Sequence, residues 1–268
     1  MKKARILAAL LGFVILLSGC GTKEESAVTT EVASVKGQNT FTVGFDQDFP
    51  PMGFVGDDGE YTGFDLELAK EVANRLGKTF VPQPIAWDSK DMELNSGNID
   101  CIWNGFTMNG REDSYTFTTP YMANSQVFVV SSDSGIVTLS DLTNKIVEVQ
   151  MDSSAEKALK SKSELTGTFK LLQTTPDYNT AFMDLEMGAV DAIAMDEVVA
   201  AYQIEQRKSD FIILSESLAA EQYGVGFKKG NNELKDQVEK QLEAMDEDGT
   251  LKKISEKWFG KDVTIIGK

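Results

Sequence analysis

The sequence contains no histidine, and only two cysteines, Cys20 and Cys101, in 268 residues. Without histidine the commonest general base and the commonest transition-metal ligand are missing. It also has no G-x-S-x-G nucleophile turn and no phosphate-cradling P-loop. Positive charge is scarce: 26 Lys and Arg stand against 42 Asp and Glu, a formal net charge of −16. Nucleic-acid binding needs clustered Lys and Arg at the phosphates, so this balance argues against it. Docking on anionic lipid through surface charge is disfavoured for the same reason. The acidity reads as a soluble, self-repelling surface. These absences lean away from catalysis, and no catalytic residue, metal site or cofactor is assigned.

Long apolar runs are confined to the N-terminus. "MKKARILAALLGFVILLSGC" opens with Lys2, Lys3 and Arg5, continues apolar from Ile6 to Leu17, and ends in Leu17-Ser18-Gly19-Cys20. A permanent span needs about 20 apolar residues, so this shorter run fits a secretory segment. The small residues before Cys20 resemble a bacterial lipoprotein signal, which implies cleavage after residue 19 and lipidation of Cys20. Residues 20–39 are polar and aperiodic and read as a flexible tether. Lipidation of Cys20 would leave no second cysteine for an intrachain disulfide. The place of Cys101 in the apolar run Ile99–Trp103 predicts a core residue.

The remainder alternates strand and helix patterns. "TFTVGFD" (Thr40–Asp46) alternates like a strand. In "GFDLELAKEVANRLG", Phe64, Leu66, Leu68, Ala69, Val72, Ala73 and Leu76 keep helical spacing, and Gly77 ends it. "TFVPQPI" reads as a strand, "SKDMELNSG" as a helix and "IDCIW" as a buried strand. Such βαβα order predicts an α/β sheet. The pattern then repeats: "ELNSGNIDCIWNG" (Glu93–Gly105) resembles "DLEMGAVDAIAMDE" (Asp184–Glu197), each running helix, Gly, one residue, Ile or Val, Asp, small residue, Ile. Two α/β units in one chain predict two lobes, joined where the chain leaves the first and returns. The boundaries read as 40–120 and 224–268 for lobe 1, 126–218 for lobe 2, and 121–125 with 219–223 as a two-segment hinge. Such hinges let lobes close on a ligand held in the cleft between them.

Between Thr40 and Gly260 the chain resembles the amino-acid-binding lipoproteins of ABC importers, that is, bacterial solute-binding protein family 3 with the type 2 periplasmic binding protein fold. The motifs that carry the resemblance are "GFDQDFPPMGF", "YTGFDLELAKEVANRLG", "WNGFTMNGRE", "VEVQMDSSAEKAL", "AMDE" and "EQYGVGFKKG". It implies a site for an L-amino acid. Asn104, Gly105 and Thr107 would offer backbone and hydroxyl groups. Arg111 would pair bidentately with the α-carboxylate. Ser153 and Ser154 would add donors at a helix start, and Asp196 would meet the α-ammonium. Phe49 and Trp87 would pack on the ligand side chain, with Asp46 and Gln150 near its tip. Thr107 and Arg111 stand four positions apart, one fewer than the resemblance implies. Asp152 replaces a common glycine and reads as a helix cap that adds negative charge to the pocket.

The expected protein is thus a monomeric binding protein on the outer face of the cell membrane, held there by its lipid alone. It would deliver a basic or amide amino acid to a permease and its ATPase. Two alternatives differ in class. A secreted dehydratase on this fold would need a positioned acid or base. A receptor's sensor domain would need a membrane span and a signalling module, neither of which is read between Thr40 and Lys268.

Overall fold

The computed structural model describes residues 39–207 and 210–268. The expected signal segment, Cys20 and nearly all of the tether lie outside them. Among the described residues no helix is long and apolar enough to cross a membrane.

Two sheets organise the chain. The first has five strands in the order Thr79–Pro84, Thr40–Phe45, Cys101–Ile102, Gly226–Lys228, Tyr115–Phe117. Its first three strands are parallel, and Phe41, Val43 and Phe45 are wholly buried. Continuous burial of this kind is expected where helices cover both faces of a parallel sheet. Helix Phe64–Arg75 provides one cover. It places Leu66, Leu68, Ala69, Val72 and Ala73 in the core, with Asp65 and Glu67 in its first turn and Arg75 in its last, all complementing the helix dipole. Each large apolar side chain buried here contributes roughly 1.5–3 kcal/mol. The predicted strand "IDCIW" is a regular strand at Cys101–Ile102, with Asp100 N and Trp103 N also bonding the neighbouring strand, and Cys101 is fully buried.

The second sheet runs Leu171–Thr175, Ile146–Gln150, Ala192–Asp196, Met122–Ser131, Phe211–Ile213. Strand Met122–Ser131 is long enough to serve two purposes. Its later half pairs with Ala192–Asp196, while its start, Met122–Gln126, pairs antiparallel with Ala219–Tyr223. After Ala219–Tyr223 the chain re-enters the first sheet as Gly226–Lys228. The fold is therefore α/β with two lobes, crossed by a pair of hydrogen-bonded strands.

The repeated motif has a common structural meaning. Helices Lys90–Ser96 and Tyr178–Glu186 are each followed by a glycine with positive φ, Gly97 at 77° and Gly188 at 70°. The motif aspartates then grip the start of the neighbouring strand. Asp100 Oδ2 accepts from Thr42 N at 2.7 Å and Asp191 Oδ2 from Ile146 N at 2.8 Å. Each aspartate returns a backbone bond, Asp100 N to Thr42 O and Asp191 N to Ile146 O.

Candidate functional site

In an open parallel sheet, ligand sites form outside the carboxyl ends of the strands. The expected residues lie there in both sheets. Asp46 follows strand Thr40–Phe45, Trp87 follows Thr79–Pro84, and the Asn104–Thr107 loop follows Cys101–Ile102. From the other lobe, Gln150 and Asp196 end strands Ile146–Gln150 and Ala192–Asp196, and Ser153 and Ser154 open the next helix. The carboxyl ends of the two sheets therefore face each other across one cleft.

Phe49, Trp87, Asn104, Gly105, Thr107, Arg111, Gln150, Ser153, Ser154 and Asp196 line a single cavity. The remaining candidate, Asp46, lines the adjoining cleft with Asp48, Asp88 and Asp177, and Trp87 is common to both spaces. The free space among the ten residues is about 10 Å³, scarcely one water, while the adjoining cleft has about 460 Å³. The polar groups are instead bonded to one another between lobes. Thr107 Oγ1 donates to Ser154 Oγ at 3.1 Å, and Gln150 Nε2 donates to Asp46 Oδ2 at 2.6 Å. Asn179 Nδ2 donates to Asp48 Oδ1 at 2.8 Å, Lys90 pairs with Asp152, and Lys157 reaches the carbonyl of Gly110. The cleft is closed, and an amino acid can enter only if these contacts separate.

At Gly105 φ is 56°, and a Cβ would come within 3.0 Å of the Phe49 ring and 3.2 Å of Tyr223. Glycine is needed here for conformation and for room. Its N–H donates inward to Asp65 Oδ2 at 2.6 Å, and Tyr121 OH donates to the same oxygen at 2.8 Å. What Gly105 can offer a ligand is therefore its carbonyl. Asn104 Oδ1 accepts from Asp46 N at 3.1 Å, tying the loop to the neighbouring strand end. Burial pushes the Asp65 carboxyl up to about 7, against the pull of those two donors.

The four-position Thr107–Arg111 connection closes as a tight turn, with Arg111 N donating to Met108 O at 2.9 Å. Arg111 Nη1 then donates to Thr107 O at 3.0 Å, and its guanidinium lies 4.9 Å over the Phe106 ring. Both residues still reach the cavity. Burial lowers the pKa of Arg111, while the carboxylates of Glu221, Asp152, Asp196 and Asp91 oppose that shift.

The expectation for Asp152 is corrected. Ser153, not Asp152, is the N-cap of helix Ser154–Ser161, its Oγ accepting from Glu156 N at 3.1 Å. Asp152 has φ 57°, a left-handed backbone that glycine adopts without strain. Its side chain turns away to Lys90 and does not line the cavity, although its charge still acts on Arg111.

Asp196 is buried, and its Oδ1 accepts from Asn124 Nδ2 at 2.9 Å, Gln126 Nε2 at 2.8 Å and Tyr223 OH at 2.6 Å. Burial, then the nearby Glu221, holds it well above the usual carboxylate range. The partners Asn124, Gln126, Glu221 and Tyr223 were not among the sequence candidates. A signal existed for the first two: Asn124 and Gln126 alternate at the polar start of an otherwise apolar strand. The arrangement can hold a zwitterion, with a guanidinium and a helix start at one end and a carboxylate at the other. Among the described residues no cluster of three or more His, Cys, Asp or Glu side chains could hold a metal ion.

Two lobes, crossed by paired strands and closing on a bipolar cavity, define the two-lobed solute-binding class. Residues 41–261 match the model of bacterial extracellular solute-binding proteins, family 3, and the chain belongs to that family. It is 32% identical over 260 residues to the L-cystine-binding protein TcyJ of Escherichia coli K12, covering 96% of each chain. It is 30% identical over 274 residues to the L-cystine-binding protein TcyA of Bacillus subtilis, covering 98% of this chain and 100% of that one. Among solved structures, it resembles an ABC uptake transporter substrate-binding protein of Streptococcus pneumoniae with bound histidine. That likeness has a TM-score of 0.82 at 36% identity, over 84% of this chain and 94% of the other.

Proposed function

We propose that the protein captures an L-amino acid outside the cytoplasm and delivers it to an ABC permease. The observation that carries this reading is the meeting of opposite charges from two lobes. Arg111 and the Ser153–Ser154 helix start face Asp196 across one cavity. In this reading Arg111, Thr107 and Ser154 hold the α-carboxylate, Asp196 and the Gly105 carbonyl hold the α-ammonium, and Phe49 and Trp87 flank the side chain. The lobes are 40–120 with 224–268 and 126–218. Segments 121–125 and 219–223 are the hinge, a reading supported by their antiparallel pairing.

The side-chain pocket is the acidic cleft beyond Trp87. Asp46, Asp48, Asp88 and Asp177 line it, and its room of about 460 Å³ favours a long ligand with a distal positive group. A guanidinium satisfies that, as does the second ammonium of cystine, which two of the relatives are named for binding. Residues 1–19 are the signal, and Cys20 carries the lipid that tethers the monomer to the membrane. The test is calorimetric titration of the whole protein with L-cystine, L-arginine, L-glutamine, L-histidine and L-glutamate. Tightest binding by L-cystine or L-arginine is expected. Binding by none of the five would overturn the function, and tightest binding by L-glutamate would overturn the side-chain assignment.

A further inference from the structure

Asp196 is joined by a second buried carboxyl, Glu221, on hinge strand Ala219–Tyr223. The two are 3% and 7% exposed. They share donors: Asn124 Nδ2 and Gln126 Nε2, which bond Asp196 Oδ1, each lie 2.7 Å from Glu221 Oε1. Two amide nitrogens, each within 2.9 Å of both oxygens, thus hold Asp196 Oδ1 and Glu221 Oε1 close together. Neither belongs to any of the ion pairs formed among the described residues. Amides and a tyrosine hydroxyl stabilise one negative charge here but do not neutralise two. Two carboxylates this close, out of water, cannot both ionise cheaply.

We propose that Glu221 is a positioning residue of the ammonium site: beside it Asp196 holds a proton in the ligand-free protein, and the pair releases that proton when the ligand's ammonium binds. The inference rests on the assignment of the α-ammonium to Asp196. The exchange balances. An acid–carboxylate pair plus an ammonium becomes two carboxylates around that ammonium, and one proton passes to solvent. The ammonium brings three N–H donors and a full positive charge, which the amides lack.

The other titratable groups around the pair fit this exchange. Tyr223, on the strand of Glu221, and Tyr178, from the helix behind Asp196, are both pushed well above the usual tyrosine range, chiefly by burial. They stay protonated as donors. Arg111 is the cation that feels both carboxylates, with Asp152 and Asp91 beside it, but it is committed to the opposite end of the cavity. Burial together with Glu221 holds Asp196 well above the ordinary carboxylate range.

The experiment is titration calorimetry of the whole protein in buffers of different ionisation enthalpy, using whichever of L-cystine, L-arginine, L-histidine or L-glutamine binds most tightly. Near pH 6 the wild type should release about one proton more per ligand than Glu221→Gln does. Its affinity should rise by about tenfold per pH unit while the pair is protonated, a slope that linkage sets and that the variant should lack. Comparing the two proteins removes any proton released by Asp46. Equal proton release from both proteins, or binding without proton release by the wild type, would overturn the proposal while leaving amino-acid binding intact. If none of the probes binds, the infrared spectrum of the ligand-free proteins decides. A carboxylic-acid C=O band lost in both Glu221→Gln and Asp196→Asn supports a proton held on Asp196 by its neighbour, and an unchanged band refutes it.

Discussion

Gln150 Nε2 donates to Asp46 Oδ2 at 2.6 Å across the cleft, each residue standing at the carboxyl end of a strand in its own lobe. Asp46 Oδ1 is occupied by Asp48 N at 2.9 Å, so a ligand group that meets Asp46 must compete with Gln150. Burial pushes the Asp46 carboxyl up to about 6, with Asp48 and Asp177 adding to the rise. A cation at the side chain's tip would pull it back down and replace the amide donor.

Asp46→Asn should therefore separate ligands by charge. A hydrogen bond to a charged group is worth roughly 1.5–3 kcal/mol, or about 10–150-fold in affinity. That loss is expected for L-arginine or L-cystine, and only a severalfold change for L-glutamine. Calorimetry with the three ligands checks it, and equal losses for all would remove Asp46 from the side-chain pocket.

Arg111→Ala should weaken every amino acid alike, because the α-carboxylate is common to them. Truncating one side of a buried charge pair costs roughly 2–5 kcal/mol. The circular dichroism spectrum should stay unchanged, since the contacts Arg111 makes are with Thr107 O and the Phe106 ring in its own loop. An affinity within about twofold of wild type would contradict the assignment.

Stability should fall as pH rises, through Asp65. Its folded pKa of about 7 lies above the ordinary 3.8. A carboxyl that holds its proton more tightly when folded stabilises fully below the ordinary value and loses that contribution as pH rises to the folded one. The shift corresponds to something on the order of 4 kcal/mol. At the acid end the lowered carboxyls of Asp248 and Asp262, both near 2, act in the opposite sense and lose their contribution below about pH 4. Chemical denaturation should show a decline from about pH 4 to 7 that Asp65→Asn makes shallower. A parallel decline in the variant would assign the effect elsewhere.

The fold was legible where sequence pattern and local chemistry agree. The repeated Gly-x-[IV]-Asp segments announced two equivalent units because the same backbone task recurs. A glycine ends the helix, and Asp100 or Asp191 caps the next strand's partner. Strand Met122–Ser131 was harder to read, since its first half, with polar Asn124 and Gln126, pairs with Ala219–Tyr223 and its second half is core. Within the site, residues following strand ends were readable because strand, turn and helix start leave a sequence trace. Glu221 was not, since a lone acid in a short strand has the same trace whether it faces solvent or a second carboxyl. Asp65 was hidden for a related reason. It occupies a first-turn position where an acid suits the helix dipole, and its grip on Gly105 spans 40 residues.

Cys20→Ser should abolish fatty-acid labelling and move the protein from the membrane fraction to the soluble one. Labelling and fractionation of cells expressing the full chain check this. A variant that still labels and still sediments with membranes would end the lipoprotein reading.

Closure around a zwitterion is tested most directly by small-angle scattering of the protein with and without ligand. The proposed carboxylate partners come from both lobes, Thr107 and Arg111 from one and Ser154 from the other, and a ligand shifts an open–closed balance only by binding the closed form better. The binding L-amino acid should lower the radius of gyration, and the same molecule lacking its α-amine should leave it unchanged. Equal compaction by the deaminated analogue would show that Asp196 meets no ammonium and would contradict amino-acid capture.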